Sequence, residues 1–478
     1  MNVLVWYKRD LRVEDHPALS LAAQGAAVLP LYIVEPGYWA GPDTSARQWG
    51  FVAETLVGLR RDLARLGAPL VVRVGDAVEV LARFCGQNNI TRIVSHREAG
   101  NGWSVARDRR VAVWARDAGI DWVELAQDQR RVDDELNIIE APTGLRMVAG
   151  IEPGVIPTAR ALRMAADACP HLQSGGRAQG LALLDSFLAQ RGRAYRQAIR
   201  APLSAERTCS RLSPYLAIGA LSAREVEQTI LARQETRPGP DWVASLRAFK
   251  SRIAWRACLL AETPRIDTQP PHRGAVALPG RMADGARFEA WVRGETGLPY
   301  LDACMRYLAA TGWINFRARA MLTSVATHHL WLDWQAVGHV LARRFTDYDP
   351  GIHWPQIQIH AGVSGAKPAR VIDPIKEGLA QDPLGLFTRR WVPELATVPD
   401  AFLQCPWKWP GAQSILGWRY PEPVVDVATA ARAARHANGS QRMMEEPQGD
   451  TVQILDRPAR PTQRRARPAP VGQLCLDI

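Results

Sequence analysis

The chain opens with short apolar runs that alternate with amphipathic stretches. Val3–Tyr7, Val28–Val34, Leu70–Val74 and Ile93–Ser95 are brief and rich in β-branched or aromatic residues, and they read as strands. Between them, Arg47–Leu66 carries Phe51, Leu56, Leu59, Leu63 and Leu66 at three- to five-residue spacings, the period of a helix with one buried face. This alternation predicts an α/β domain built on a parallel sheet. A dinucleotide-binding turn would place G-x-G-x-x-G straight after the first strand, but that turn reads Tyr7-Lys8-Arg9-Asp10. The sheet therefore carries no conventional dinucleotide fingerprint.

From Asp128 to Gly180 the pattern becomes irregular, punctuated by Pro142, Gly144, Pro153, Pro157, Pro170 and Ser174-Gly175-Gly176. From Gly180 to Ala437 helical periodicity dominates, and most of the tryptophans fall there. The end of the chain is rich in Pro, Arg and Gln without a core pattern, which predicts disorder. The expected organisation is an α/β domain over 1–130, a connecting segment over 131–180, an all-helical domain over 181–440 and a basic tail over 441–478.

Composition narrows the class. A chain of 478 residues, 47% hydrophobic and 22% charged, can bury more than one core. No apolar run is long enough to span a bilayer, and the first residues enter a strand without a leader pattern, so a soluble, cytoplasmic monomer with no membrane partner is expected. Seven scattered cysteines without a C-x-x-C pair argue against a disulfide framework and against closely spaced zinc ligands, and no metal is expected. The net charge of +11 fits a nucleic-acid partner, or a biased composition with a basic tail holding Arg464, Arg465 and Arg467. Charge alone does not separate these two.

Particular segments are more telling. WYKRDLRVEDHPAL (Trp6–Leu19), RLSPYLAIGALS (Arg211–Ser222), AWR (Ala254–Arg256), TGLPYLDACMRYLAATGW (Thr296–Trp313) and DPLGLFTRRWVPEL (Asp382–Leu395) occur in the order and at the separations found in photolyases and cryptochromes. The chain resembles that family from Met1 to Trp418, with His16 where the family usually has Asn. The resemblance implies an α/β domain that often holds an antenna pigment, of pterin or deazaflavin type, and a helical domain enclosing FAD. Family members either split pyrimidine dimers in DNA by light-driven electron transfer or act as blue-light receptors.

The resemblance also assigns residues. Tyr195, Ser210, Leu212 and Ser213 fall where the family holds the diphosphate and ribityl chain, and hydroxyls beside free backbone N–H groups at a helix start suit a diphosphate. Read without the resemblance, Ser210 and Ser213 are better taken as helix caps. Cys209 stands where a Thr is common. Arg319 and Asp347 match the arginine–carboxylate pair beside the flavin ring, with Arg256 and Asp349 nearby. His353 falls at the position facing flavin N5, where it would serve as a proton donor or as a packed histidine beside Trp354.

On the substrate side the pattern departs. Trp255 and Arg256 are retained, but Arg252 replaces a lesion-binding carboxylate, Ile359 a second tryptophan and Phe316 an asparagine. A guanidinium donates only, so it suits phosphate or carbonyl oxygens rather than a lesion N–H. The family's three-tryptophan electron route retains Trp334, while its inner position reads Ile357 and its outer one Arg281. Trp331 and Trp334, three apart, read as core packing on one helical face. In His96–Asp108, where relatives line an antenna pocket, Glu98, Asn101 and Trp103 offer polar and stacking groups.

The chain finishes Gln473-Leu474-Cys475-Leu476-Asp477-Ile478. Gln473, Leu474, Leu476 and Ile478 resemble the short peptides that dock bacterial repair proteins onto the sliding clamp, against the alternative of a chance match or of docking on the chain itself. The functional reading is an FAD-dependent, blue-light DNA photolyase acting on pyrimidine photoproducts, cyclobutane dimers first, with Trp255, His353 and Trp334 as its catalytic residues. The alternative is a cryptochrome-type photoreceptor without repair activity. A dark oxidoreductase lacks any nicotinamide-binding signature.

Overall fold

In the computed structural model, which describes residues 1–126, 137–262, 280–283, 285–364 and 370–445, the sheet has six parallel strands, four of them formed by the apolar runs. These are β1 (Asn2–Tyr7), β2 (Ala27–Val34), β3 (Val71–Val74), β4 (Ile90–His96), β5 (Asp121–Leu125) and β6 (Arg146–Met147). The order is β3-β2-β1-β4-β5, and β6 adds to β2. β5 and β6 carry no run of the kind that marks the inner strands: each is a short edge strand, part-polar because one side meets solvent.

Pairing explains one irregular residue. β2 contains Pro30, which has no N–H to give to a ladder. Along its outer edge β2 pairs with β6 at Ala27 and Val28 and with β3 from Leu31 onward. Pro30 falls in the gap between those two partners, so the missing donor costs the ladder little.

Alternation along the strands splits the sheet's faces. Leu4 and Trp6 join one core with Leu29, Leu31 and Ile33, while Val3, Val5 and Tyr7 face the other. That second core runs without a break into the helical domain, through Tyr215, Trp291, Tyr307 and Leu322. Helices follow from Arg177–Ala189 to Val427–Glu445, the longest being Pro240–Glu262.

The Lys8–Arg12 turn fastens sheet to helices. Arg9 donates to the carbonyls of Ala217 (3.1 Å) and Tyr348 (2.7 Å), and Arg12 to Gly219 (3.1 Å). Gln48 adds bonds to the Ala342 and Phe345 carbonyls. His16 has a local role: its Nδ1 accepts from Leu19 N–H, capping the helix Pro17–Ala22. Its Nε2 proton then faces Asp10 Oδ2 at 3.0 Å, and His96 Nδ1 meets the same oxygen at 2.6 Å. Burial drives the His16 pKa down to about 4. Asp10 is thus a buried carboxylate bonded to His96 Nδ1, with His16 Nε2 close beside it.

The described residues contain no helix long and apolar enough to cross a membrane. Their six cysteines are all free thiols. The tail residues Arg464, Arg465 and Arg467 and the peptide Gln473–Ile478 lie outside the described residues.

Candidate flavin and substrate cavity

A cavity of about 260 Å³ opens in the helical domain, an order of magnitude more than one water needs. It gathers segments remote in sequence: Tyr195, Ser210–Ser213, Arg252–Arg256, Trp313–Arg319 and Phe345–His360 all contribute to its wall.

One side is built of ion pairs. Arg319 holds Asp347 through both terminal guanidinium nitrogens (3.1 and 2.8 Å), gives its Nε–H to the Ile314 carbonyl and packs 4.1 Å over the Phe345 ring. Arg256 pairs with Asp349 at 2.9 Å and donates to the Leu216 carbonyl. Asp349 also caps the helix Pro350–Ala361 through Gly351 N–H. The two pairs therefore have fixed geometry before any ligand arrives.

The expected phosphate side behaves differently from a simple cap. The helix Ser213–Ala217 spans five residues, its N-cap is Leu212, and no side chain caps it. The Ser213 hydroxyl is not consumed in capping, while Ser210 Oγ accepts only a long 3.5 Å bond from Leu212 N–H. Arg211 sits in the left-handed region at φ 63°, which disfavours an L side chain by roughly 1–2 kcal/mol. Gln173 holds it there, and its guanidinium stacks 4.1 Å over Trp313. Four guanidiniums (Arg211, Arg252, Arg256, Arg319) face two carboxylates in this wall, an excess of positive charge suited to a diphosphate.

Asn315 is a member of the wall that sequence reasoning did not single out. Its amide donates to the carbonyls of Ile199 and Arg200, which orients Oδ1 as a buried acceptor with no partner among the described residues. FAD carries imide and hydroxyl donors that such an acceptor can meet. The residues present fit FAD: fixed cations, unspent hydroxyls and an unfilled acceptor line one space.

His353 lies in the wall, buried, with Nε2 2.9 Å from the Gly338 carbonyl. A carbonyl only accepts, so Nε2 carries the proton, and burial lowers the pKa to about 4. The free Nδ1 is then an acceptor. At neutral pH His353 is a neutral imidazole, packed 5.3 Å from Trp354.

The other side is aromatic and half-buried. Trp255 meets Phe316 edge to face (5.8 Å between centroids), Phe316 meets His360 (5.8 Å), and the Arg252 guanidinium lies 5.8 and 5.2 Å from the first two rings. His360 was also not singled out; its Nε2 is buried with no partner among the described residues, and burial lowers its pKa to about 4. Ile359, by contrast, is 46% exposed and outside the wall. Trp334 is outside it too, packed against Trp354 at 6.2 Å. Trp331 and Trp334 do not share a helical face, because Trp331 precedes the Asp333 N-cap at φ 64° and lies under Arg281 at 3.5 Å.

A second, smaller cavity of about 70 Å³ lies against the sheet, lined by Trp6, Lys8, Glu35, Tyr38, Glu98, Asn101 and Arg107 among others. Arg107 bridges Glu35 (2.9 Å) and Glu98 (2.7 Å). Burial raises the Glu35 pKa to about 7, against the pull of Arg107, and its Oε1 is buried without a partner among the described residues.

Comparison with known proteins agrees with this architecture. Residues 3–129 match the family model described as DNA photolyase, and residues 249–439 the FAD binding domain of DNA photolyase. The chain is 31% identical to a cryptochrome DASH of Gloeobacter violaceus, over 90% of this chain and 94% of that one. It is 29% identical to a deoxyribodipyrimidine photo-lyase of Streptomyces griseus, over 91% and 99%. Its fold is similar to that of the Synechocystis sp. PCC6803 cryptochrome, with a TM-score of 0.82 at 24% identity, covering 91% of this chain and 99% of that one. The chain belongs to the photolyase/cryptochrome family, and FAD is its cofactor.

Proposed function

We propose that the protein is a light-driven DNA photolyase acting on a pyrimidine photoproduct. The observation that carries this reading is the pairing, in one cavity, of a preorganised ion-paired side with an aromatic side that is partly open. FAD, when bound, supplies the electron that opens the photoproduct and takes it back.

The chain's own residues divide the remaining work. Arg319, held by Asp347, presents its guanidinium to the flavin ring; Ser210, Ser213, Tyr195 and Arg211 receive the diphosphate and ribityl chain; Arg256 and Asp349 brace the space between. His353 accepts a hydrogen bond at N5 through Nδ1. Trp255 and Phe316 provide faces on which a flipped nucleobase stacks, and Arg252 reaches its carbonyl or flanking phosphate oxygens. The small sheet cavity, with the Glu35 and Glu98 carboxylates, fits an antenna heterocycle that presents N–H donors, which favours the pterin type. The terminal peptide Gln473–Ile478 is proposed to dock on the sliding clamp, and equal clamp capture after its removal would rule that out.

The deciding test is repair under blue light of oligonucleotides carrying a defined cyclobutane dimer or (6-4) product, with the flavin reduced. Repair of the cyclobutane dimer is expected. Repair of the (6-4) product alone would reassign the lesion, and repair of neither would make the protein a photoreceptor.

A further inference from the structure

Tyr348 stands between the two acidic residues of the ion-paired side and belongs to the cavity wall. Its buried phenol donates to Asp43 Oδ2 at 2.5 Å, a carboxylate supplied by the sheet domain. The other oxygen of Asp43 takes a 2.6 Å bond from Nδ1 of His339, whose side chain is 35% exposed. Trp354 Nε1 approaches Asp43 Oδ2 at 3.4 Å. The rings are close: Tyr348 to His353 5.3 Å, His353 to Trp354 5.3 Å, Trp354 to Trp334 6.2 Å. Two oxidisable side chains thus converge on one buried carboxylate at the edge of the flavin cavity.

Domain docking does not require this arrangement, since Arg9, Arg12 and Gln48 already tie the sheet to the helices. Ile357 and Arg281, at two positions of the usual tryptophan chain, hold an aliphatic and a guanidinium group that cannot carry an electron hole. A phenol is readily oxidised only if its proton can leave. Burial keeps the Tyr348 phenol protonated at rest. Burial opposes charge on Asp43, yet the bonds from His339 and Tyr348 hold its carboxyl below the usual range. An oxidised phenol is a far stronger acid than either, so its proton passes to Asp43.

We propose that Tyr348 donates an electron to light-excited, oxidised FAD while its phenolic proton moves to Asp43, and that Trp354 and Trp334 extend this route. The flavin gains one electron; Tyr348 loses one electron and its O–H bond; Asp43 Oδ2 gains the proton. An external thiolate then returns an electron and Asp43 returns the proton, restoring the phenol. The inference rests on FAD in this cavity and is independent of what the aromatic side binds.

The test uses the FAD-loaded full chain, oxidised, under blue light with a thiol. Freeze-quenched samples are expected to show a tyrosyl radical by electron paramagnetic resonance that narrows when tyrosine is ring-deuterated. Tyr348→Phe is expected to abolish that signal and slow flavin photoreduction by about tenfold or more. Asp43→Asn, which still accepts the phenol's hydrogen bond but takes no proton, is expected to slow it similarly and to remove the slowing seen in heavy water. A wild-type chain that forms only tryptophan radicals overturns the proposal, as does Tyr348→Phe photoreducing at the wild-type rate. If Tyr348→Phe fails to retain flavin, the radical measured in the wild-type chain decides.

Discussion

The two sides of the large cavity are built by different rules. On one, each paired guanidinium also holds a backbone carbonyl: Arg319 with Asp347 and Ile314, Arg256 with Asp349 and Leu216, while Asp349 takes a further bond from Gly351. On the other, Trp255, Phe316 and His360 touch edge to face, half-buried, with a donor-only Arg252 across them. A resident cofactor rewards geometry fixed in advance, because ordering is then not charged against binding. A guest that arrives and leaves needs surfaces that accept it without demanding a single register, and stacking faces meet that need.

Breaking the ion-paired side should produce the largest effect. Asp347→Ala leaves Arg319 without its partner in a largely buried setting, which is expected to cost about 3 kcal/mol of stability and most of the bound flavin. Flavin absorbance per protein and the thermal midpoint check this; retention of full flavin would erase the distinction between the two sides. Acid should come next, and it strikes both. His353 and His360, like His16, His328 and His329, have pKa values lowered to about 4 from 6.5, mainly by burial. Between those values the unfolded chain binds protons that the folded chain refuses, so stability falls as pH drops from about 6.5 toward 4. Urea midpoints that stay level across that window would contradict the neutral imidazoles.

The aromatic side is probed by smaller changes. Trp255→Ala should weaken binding of a lesion-bearing oligonucleotide by roughly 1–3 kcal/mol while leaving flavin content intact. Arg252→Gln should cost about tenfold in affinity and flatten its salt dependence, if the guanidinium meets phosphate. Ile359→Ala, at an exposed position, should change binding and stability by less than about 0.5 kcal/mol. A loss there equal to that of Trp255→Ala would extend the aromatic side beyond the wall described.

Much of the ion-paired side is legible in the sequence because its residues lie in segments shared with the family, and all the expected cofactor positions from Tyr195 to His353 meet in one wall. What was not legible depends on juxtaposition. Asp43 meets Tyr348 across 305 positions, and no local pattern announces that. The orphaned acceptor of Asn315 exists only because its amide turns to Ile199 and Arg200. Trp331 looked helical by spacing, yet a left-handed residue ahead of a cap puts it elsewhere. The direction of the His353 proton was likewise set by a carbonyl, that of Gly338, 15 positions away.

The turn after the first strand has a consequence for the order of synthesis. Arg12 waits for the Gly219 carbonyl, 207 positions later, and Arg9 for that of Tyr348, 339 positions later. At a translation rate of roughly 5–20 residues per second, the second acceptor emerges about 20 s to a minute after the arginine that needs it. Through that interval the nascent sheet keeps two charged side chains in water on the face destined to be buried. They act as a temporary guard against sticking to other chains, withdrawn only when the flavin-binding half arrives.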